Sequence, residues 1–296
     1  MAHQVETPTN TRRIVVISAV LGFLLTTIWS AQFVDTTIGG NVAGAMLGHD
    51  PKQPITGIAA GVFFAFASGL AGTFTGCNVA VFGAMAPMLG GEGGRWRRLM
   101  ATLDPLKWLA AGMVAVSAAY GVVVSLVGTR MPQFNADRAP LGELTARNIQ
   151  SMVVFGIIGV SLTYLGLAQL GLVRDPFARL PRARLVFLGA LIGGFLIGRP
   201  WPLFRQLFRA AAESGNPLYG AFAFVLQSVG NILVMALLLL LLNVAGGRLR
   251  GWLAARALPI TAGALILTGV FTIFYWDVRM LQFRGVIPWY PLAPWT

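Results

Sequence analysis

The residue types on which most enzymes depend are nearly missing from this chain, which has one cysteine, Cys77, and two histidines, His3 and His49, in 296 residues. A lone thiol cannot close an internal disulfide, and two imidazoles so far apart make no recognisable zinc site. Neither a metal ion nor a bound cofactor is expected. Charge is also scarce. Only 11% of residues are charged, against roughly 25% in an ordinary soluble domain. Acidic residues are the rarer sign, 10 against 22 lysines and arginines. No serine–histidine–carboxylate set or carboxylate pair can be assembled, which argues against a soluble-type enzyme. The loop Gly90-Gly-Glu-Gly-Gly94 lacks the lysine of a phosphate-binding loop. The formal charge of +12 does not imply nucleic acid, because the basic residues cluster between apolar runs and form no stripe interleaved with aromatics.

What is abundant is apolar. Hydrophobic residues make up 56% of the chain, and the mean hydropathy is +0.72. The 36 glycines suit helices that approach closely in lipid, where small residues replace hydrophobic burial as the basis of packing. A bilayer core of about 30 Å requires about 20 apolar residues per helix. Runs of that kind fall at 14–34, 57–90, 106–127, 149–173, 185–213, 217–244 and 255–276. The expected fold is therefore an all-α integral membrane protein of about seven transmembrane helices, in contact with the lipid bilayer.

Two of these runs are too long for a single span. The first is interrupted by Gly72, Gly76 and Pro87, the second by Gly198, Pro200 and Pro202. Breaks free backbone groups that lipid cannot satisfy, so they belong where protein or a watery cavity surrounds them. Basic residues collect in alternate connections: Arg12 and Arg13; Arg95, Arg97, Arg98 and Lys107; Arg174, Arg179, Arg182 and Arg184; Arg248, Arg250 and Arg256. The positive-inside rule then places the N-terminus inside and the C-terminus outside. The first run reads as a retained anchor and not as a cleaved signal, since no clear small-x-small site follows it. The segment 277–296, with Trp289, Tyr290 and Trp295 among prolines, reads as an interfacial tail on the outer surface.

The two interrupted runs share a pattern, with Gly72, Gly76 and Cys77 in one and Gly194, Gly198 and Arg199 in the other. Each begins a three-helix unit, and the second unit has inverted topology. This is the layout of an inverted repeat whose discontinuous helices meet near the bilayer midplane. The same glycines also have a plain reading as helix-packing positions.

The stretch from Phe66 through Gly76 and Cys77 to Val81 resembles the first core helix of the CcdA/DsbD transmembrane family. The stretch from Ala210 through Gly220 to Gln227 and Gly230 resembles that family's link from its fourth to its fifth core helix. The likeness covers about residues 57–276, leaving an N-terminal helix with its outer loop (1–56) and the tail (277–296) outside it. The resemblance implies a multi-pass protein of the bacterial cytoplasmic (inner) membrane that acts in cytochrome c biogenesis and periplasmic thiol reduction. Its partner would be a thioredoxin-like or cytochrome-assembly protein. Shuttling members resemble one another in having one cysteine in each broken helix. Here only Cys77 is present, and the second position falls at Arg199 or at Trp201, depending on whether the glycines or the Pro200 turn are aligned. A disulfide relay needs a thiolate and a partner sulfur, so this chain alone cannot complete that cycle. It would be, at most, a thiol–disulfide oxidoreductase-like protein that draws on a partner's thiol.

Cys77 is accordingly either an exchanging thiol or a small buried apolar group. Arg199, Arg205 and Arg209 lie on or beside the second break, the last two on one helical face. They read as anion or substrate contacts, or as snorkelling side chains with Glu213 one turn from Arg209. Thr73, Thr75, Asn78, Gln227 and Asn231 are polar groups inside apolar runs, suited to a polar pocket or to bonds between helices. Two functions follow. One is a divergent thiol-redox protein working through Cys77. The other is a non-redox membrane subunit or carrier whose broken helices hold an anion or a partner protein.

Overall fold

A computed structural model describes residues 10–30, 33, 37, 40–48, 58–72, 95–134, 140–198, 202–244, 251–253 and 255–296. The described residues are helical, with no strand among them. The helices are α1 (Thr11–Ile28), α2 (Gly40–Leu47), α3 (Ile58–Gly72), α4 (Arg95–Val127), α5 (Ala146–Gln169), α6 (Pro181–Gly198), α7 (Pro202–Ser214), α8 (Pro217–Val244), α9 (Ala257–Ile273) and α10 (Arg279–Phe283). Six spans are long and apolar enough to cross a membrane: Thr11–Ile28, Leu103–Arg130, Ala146–Gln169, Pro181–Gly198, Pro217–Leu241 and Ala257–Phe283. Of the other expected span, 57–90, only the first half is described, as α3. The last span, expected to end at 276, runs on through a π-helical turn (Phe274–Val278) into α10.

Local chemistry sets the helix ends. Pro181, Pro202 and Pro217 occupy first helical positions, where the missing N–H costs nothing and the fixed φ suits a helix. Thr145 caps α5 by accepting from the Asn148 amide at 3.3 Å. Asn216 caps α8 by accepting from Leu218 and Tyr219 N–H at 3.0 and 3.4 Å. Gly171, at φ +74°, closes α5 in a Schellman turn in which Leu172 N–H donates to the Leu167 carbonyl.

The helices form a row in the order α1, α9, α5, α6, α4, α8, α3, α2, with α7 lying across α4, α8 and α3. Large apolar side chains point away from the bundle at helical spacing: Val16, Val20 and Leu24 on α1, Val153, Ile157 and Val160 on α5, and Leu233, Leu237 and Leu241 on α8. A helix apolar on its outer face as well as its packed face is one solvated by lipid. The chain is a multi-pass membrane protein.

Glycines make the inner seams. Gly112 of α4 sits on the Val186 carbonyl of α6, while Gly189 of α6 sits on the Leu109 carbonyl of α4. Gly69 of α3 sits on the Gln227 carbonyl of α8, while Gly230 of α8 sits on the Phe66 carbonyl of α3. Gly159 and Gly269 bring α5 and α9 together in the same way. Ser228 donates to Ser117 across the α4–α8 seam at 2.7 Å. Ser117→Ala should cost only about 0.6 kcal/mol, the mean for such bonds in membranes. Unfolding of the purified variant in mixed micelles measures it.

The segment 277–296 does more than lie at an interface, because it completes the last turn of α1. Arg279 donates to the Thr26 and Trp29 carbonyls (3.2 and 3.0 Å), Ala293 N–H to Thr27 (2.9 Å) and the Trp295 indole to Ile28 (3.1 Å). The final carbonyls of a helix lack partners within it; here Leu25 accepts from Trp29 N–H, and a single segment supplies donors to Thr26, Thr27, Ile28 and the capping Trp29. Tyr290 and Thr26 are hydrogen-bonded through their hydroxyls, and burial pushes the Tyr290 phenol above its ordinary range.

Candidate functional site

The antiparallel seams define two bundle ends. One holds the start of α1, the α5–α6 turn and the start of α9. The other holds the end of α1, the end of α4, the start of α5, the α6–α7 junction, the start of α8 and α10. Charge is handled differently at each. At the first end, Arg184 pairs with Asp175 at 3.5 Å and donates to the Leu165 carbonyl, Lys107 pairs with Asp104, and Arg182 lies over the Trp108 ring.

At the second end the last described turn of α6 is built into a polar network. α6 is described to Gly198 and α7 from Pro202. Gln150 Nε2 of α5 donates to the Ile197 carbonyl at 2.7 Å. The same amide lies 3.3 Å from the Tyr120 hydroxyl of α4, which in turn donates to Gln133 Oε1 in the turn after α4. Tyr120 is held edge-on by Phe208 of α7 and Phe224 of α8, which stack on each other at 5.0 Å. A phenol buried among phenyl rings requires a polar partner for its hydroxyl, and the two glutamines provide it. The other end of Gln133, Nε2, is buried with no partner among the described residues, as is Ser151 Oγ of α5.

Two arginines lie by the start of α5: Arg147, half-buried in its first turn, and Arg284, after α10, which meets Asn148. With the Asn148 amide oriented to satisfy both of its ends, Asn148 Nδ2 donates to Thr145 Oγ1 (3.3 Å). Its Oδ1 accepts from Arg284 Nε (2.5 Å) and Nη2 (2.9 Å). Arg209 behaves as the snorkelling reading expects, exposed beside Glu213 at 3.9 Å. Arg205, one turn earlier on the same helix face, is exposed as well.

Among the residues singled out from sequence, Cys77, Asn78, Thr73, Thr75, Gly76, Pro87, Arg199, Pro200 and Trp201 lie outside the described residues. Gly72 is the last residue of α3, and Pro202 is the first of α7. Gly194 and Gly198 bring α6 against Ile158 and Phe155 of α5. Gln227 is buried at the α3–α8 seam with its Oε1 unpartnered among the described residues; Asn231, one turn on, is half-buried and partnered. These two amides belong to a seam remote from the α5–α6 contact and do not join the network. Tyr120, Gln133, Gln150, Arg147 and Arg284 were missed. The available signal was a lone phenol in the middle of one apolar run and an arginine and a glutamine opening another.

The network carries hydroxyls, amides and guanidiniums but no nucleophile activated by a base. No cluster of three metal-ligating side chains occurs among the described residues. Guanidiniums are donors only, so the arrangement is fitted to hold a group rich in acceptors. No protein-family model, curated protein or solved structure matches this chain.

Proposed function

We propose that this chain is an anion-binding membrane carrier on a CcdA/DsbD-like plan, with one leading helix and two inverted three-helix units, which holds its anion at the second helix break. The observation that carries this reading is the bond from Gln150 to the Ile197 carbonyl. It makes the end of α6, a helix apolar enough to span a membrane, one side of a polar network. Irregular backbone at membrane depth is tolerated where protein or a water-filled path surrounds it, and broken helices of transporters hold their ligands there.

Support for the repeat comes from the seams. Gly189 rests on the residue three before Gly112, and Gly69 rests on the residue three before Gly230. Each partner glycine rests on the residue three before the first. The leading helix of each unit thus meets the middle helix of the other through the same interlock. The register it favours pairs Gly69 with Gly189, not Gly72 with Gly194. Support for an inner membrane with the N-terminus inside comes from the arginines near the starts of α1, α6 and α9 and in the α5–α6 turn, which all fall at one end of the bundle.

Purified protein in liposomes, loaded with labelled sulfate, phosphate or chloride in parallel, tests the reading. Gln150→Leu removes both amide contacts and should slow uptake at least tenfold, and Tyr120→Phe, which removes the hydroxyl's bonds to Gln133 and Gln150 at about 1 kcal/mol each, should slow it by a similar factor. Uptake unchanged by Gln150→Leu would remove the break from the path. Cys77→Ser should leave uptake at the wild-type rate. A mixed disulfide trapped through Cys77 would instead favour the thiol-exchange reading, in which a partner protein supplies the second sulfur.

A further inference from the structure

Acids are nearly absent from the spans. Of the six, only Leu103–Arg130 and Ala257–Phe283 contain one each. Asp104 is exposed near the start of the first and pairs with Lys107. Asp277 is placed differently. It stands six residues before the end of α10, about 9 Å along a helix that rises 1.5 Å per residue, and beside Gly156, ten residues into α5. A Cβ built on Gly156 would lie 3.2 Å from Asp277 Oδ2, so it is a glycine that admits the carboxyl to the face of α5. Asp277 Oδ1 is buried with no hydrogen-bond partner among the described residues. The backbone that carries it is the π-helical turn Phe274–Val278, and such turns are rare and recur at functional sites.

No cation among the described residues pairs with this carboxyl. α9 has no titratable side chain. Arg279, two residues on, donates to the Thr26 and Trp29 carbonyls of α1 and covers the Tyr275 ring, while Arg284 meets Asn148. On α5, Tyr164 donates to the Arg174 carbonyl, and Arg147 lies in the first turn, nine residues before Gly156. α1 brings Arg12 and Arg13 only at the opposite bundle end, and the tail brings Tyr290, which is bonded to Thr26. A carboxylate at membrane depth is costly unless a counter-charge or a proton neutralises it. With no counter-charge in place, the ligand left to it is the proton.

We propose that Asp277 is a proton-binding site that couples movement of the anion to the proton gradient. The carboxylate takes a proton from hydronium, leaving water, and the O–H so formed later returns it to water; no other bond changes. Carboxyls inside transmembrane segments serve as proton relays in pumps and transporters for this reason. The coupling rests on the carrier reading, whereas the proton site itself does not.

Difference infrared spectra of the full chain in maltoside micelles, taken between mildly acidic and mildly alkaline buffer, read the site without transport. The wild type should show the carbonyl stretch of a protonated carboxyl that is lost in the alkaline buffer. Asp277→Asn, which keeps the shape and cannot exchange a proton, should lack that component. In liposomes at clamped potential, an acid exterior should raise wild-type uptake of labelled sulfate or chloride several-fold over symmetric pH. That ratio should fall to about one in Asp277→Asn and persist in Asp277→Glu. The proposal is overturned if the Asp277→Asn spectra match those of the wild type, or if wild-type uptake ignores the pH gradient. It is equally overturned if uptake follows replacement of sodium by N-methylglucamine and not the gradient, which assigns the carboxyl to a metal cation. A wild type without the band overturns it even if the variant does not purify folded. If the wild type takes up no anion, a band specific to Asp277 keeps the proton site and removes only the carrier reading.

Discussion

Gly112→Val is expected to prevent α4 and α6 from closing on each other, the largest single-residue effect in the bundle. A Cβ at Gly112 would fall on the Val186 carbonyl oxygen and the Ala190 amide, which are backbone and cannot turn aside. Gly189 meets the backbone of Leu109 just as closely from the other side. Relief requires the two helices to separate along the α4–α6 seam. Overpacking a well-packed site costs about 1–3 kcal/mol and sometimes more, and a clash of backbone with backbone belongs at the upper end or beyond. Gly194→Ala on the same helix is the control, since the nearest atom to its added Cβ is Ile158 Cδ1 at 3.5 Å, an ordinary contact. Unfolding in mixed micelles should show Gly112→Val as unfolded or destabilised by more than about 3 kcal/mol, with Gly194→Ala close to wild type. Equal behaviour of the two would mean that α4 and α6 do not meet at this seam.

The second large effect is expected at Arg279. Its guanidinium is buried, 4% exposed, against the rings of Tyr275 and Phe283 at 4.8 and 5.3 Å, and it supplies two of the four donors to the end of α1. Hydrogen bonds to a charged donor are worth about 1.5–3 kcal/mol each. The cation also complements the negative end of the α1 dipole. Arg279→Met keeps the bulk and removes both bonds, so a loss of about 3 kcal/mol or more is expected. Arg279→Lys keeps the charge but not the fork and should lose less. Because the damage is local, protease cleavage near Trp29 should rise in Arg279→Met before the rest of the bundle unfolds. Wild-type stability and cleavage in Arg279→Met would show that α1 is held by other contacts.

Much of the fold was legible because lipid leaves a chain little choice. Apolar runs of the right length can only be helices, and six of them are. Pro202 marked the start of α7. The glycine motif was less informative. Gly-x-x-x-Gly drew attention to Gly194 and Gly198, which face the side chains of Ile158 and Phe155. Of the glycines that allow backbone contact, Gly112 carries no motif, while Gly189 opens another Gly-x-x-x-Gly, with Gly193, on the face that meets α4; which of two such faces meets a neighbour depends on helices distant in sequence. The site was legible only in part for the same reason. Arg284 and Asn148 are far apart in sequence, and only the placement of the turn after α10 against the start of α5 brings them into contact. Likewise, the tail's tryptophans read as interfacial from composition, while its role in capping α1 depends on where α9 and α10 deliver it.

Uptake into liposomes containing the wild-type protein, compared with protein-free liposomes under a clamped potential, tests the anion carrier most directly. The account predicts protein-dependent entry of labelled sulfate or phosphate that exceeds entry of chloride. Equal accumulation with and without protein for all three anions would contradict it.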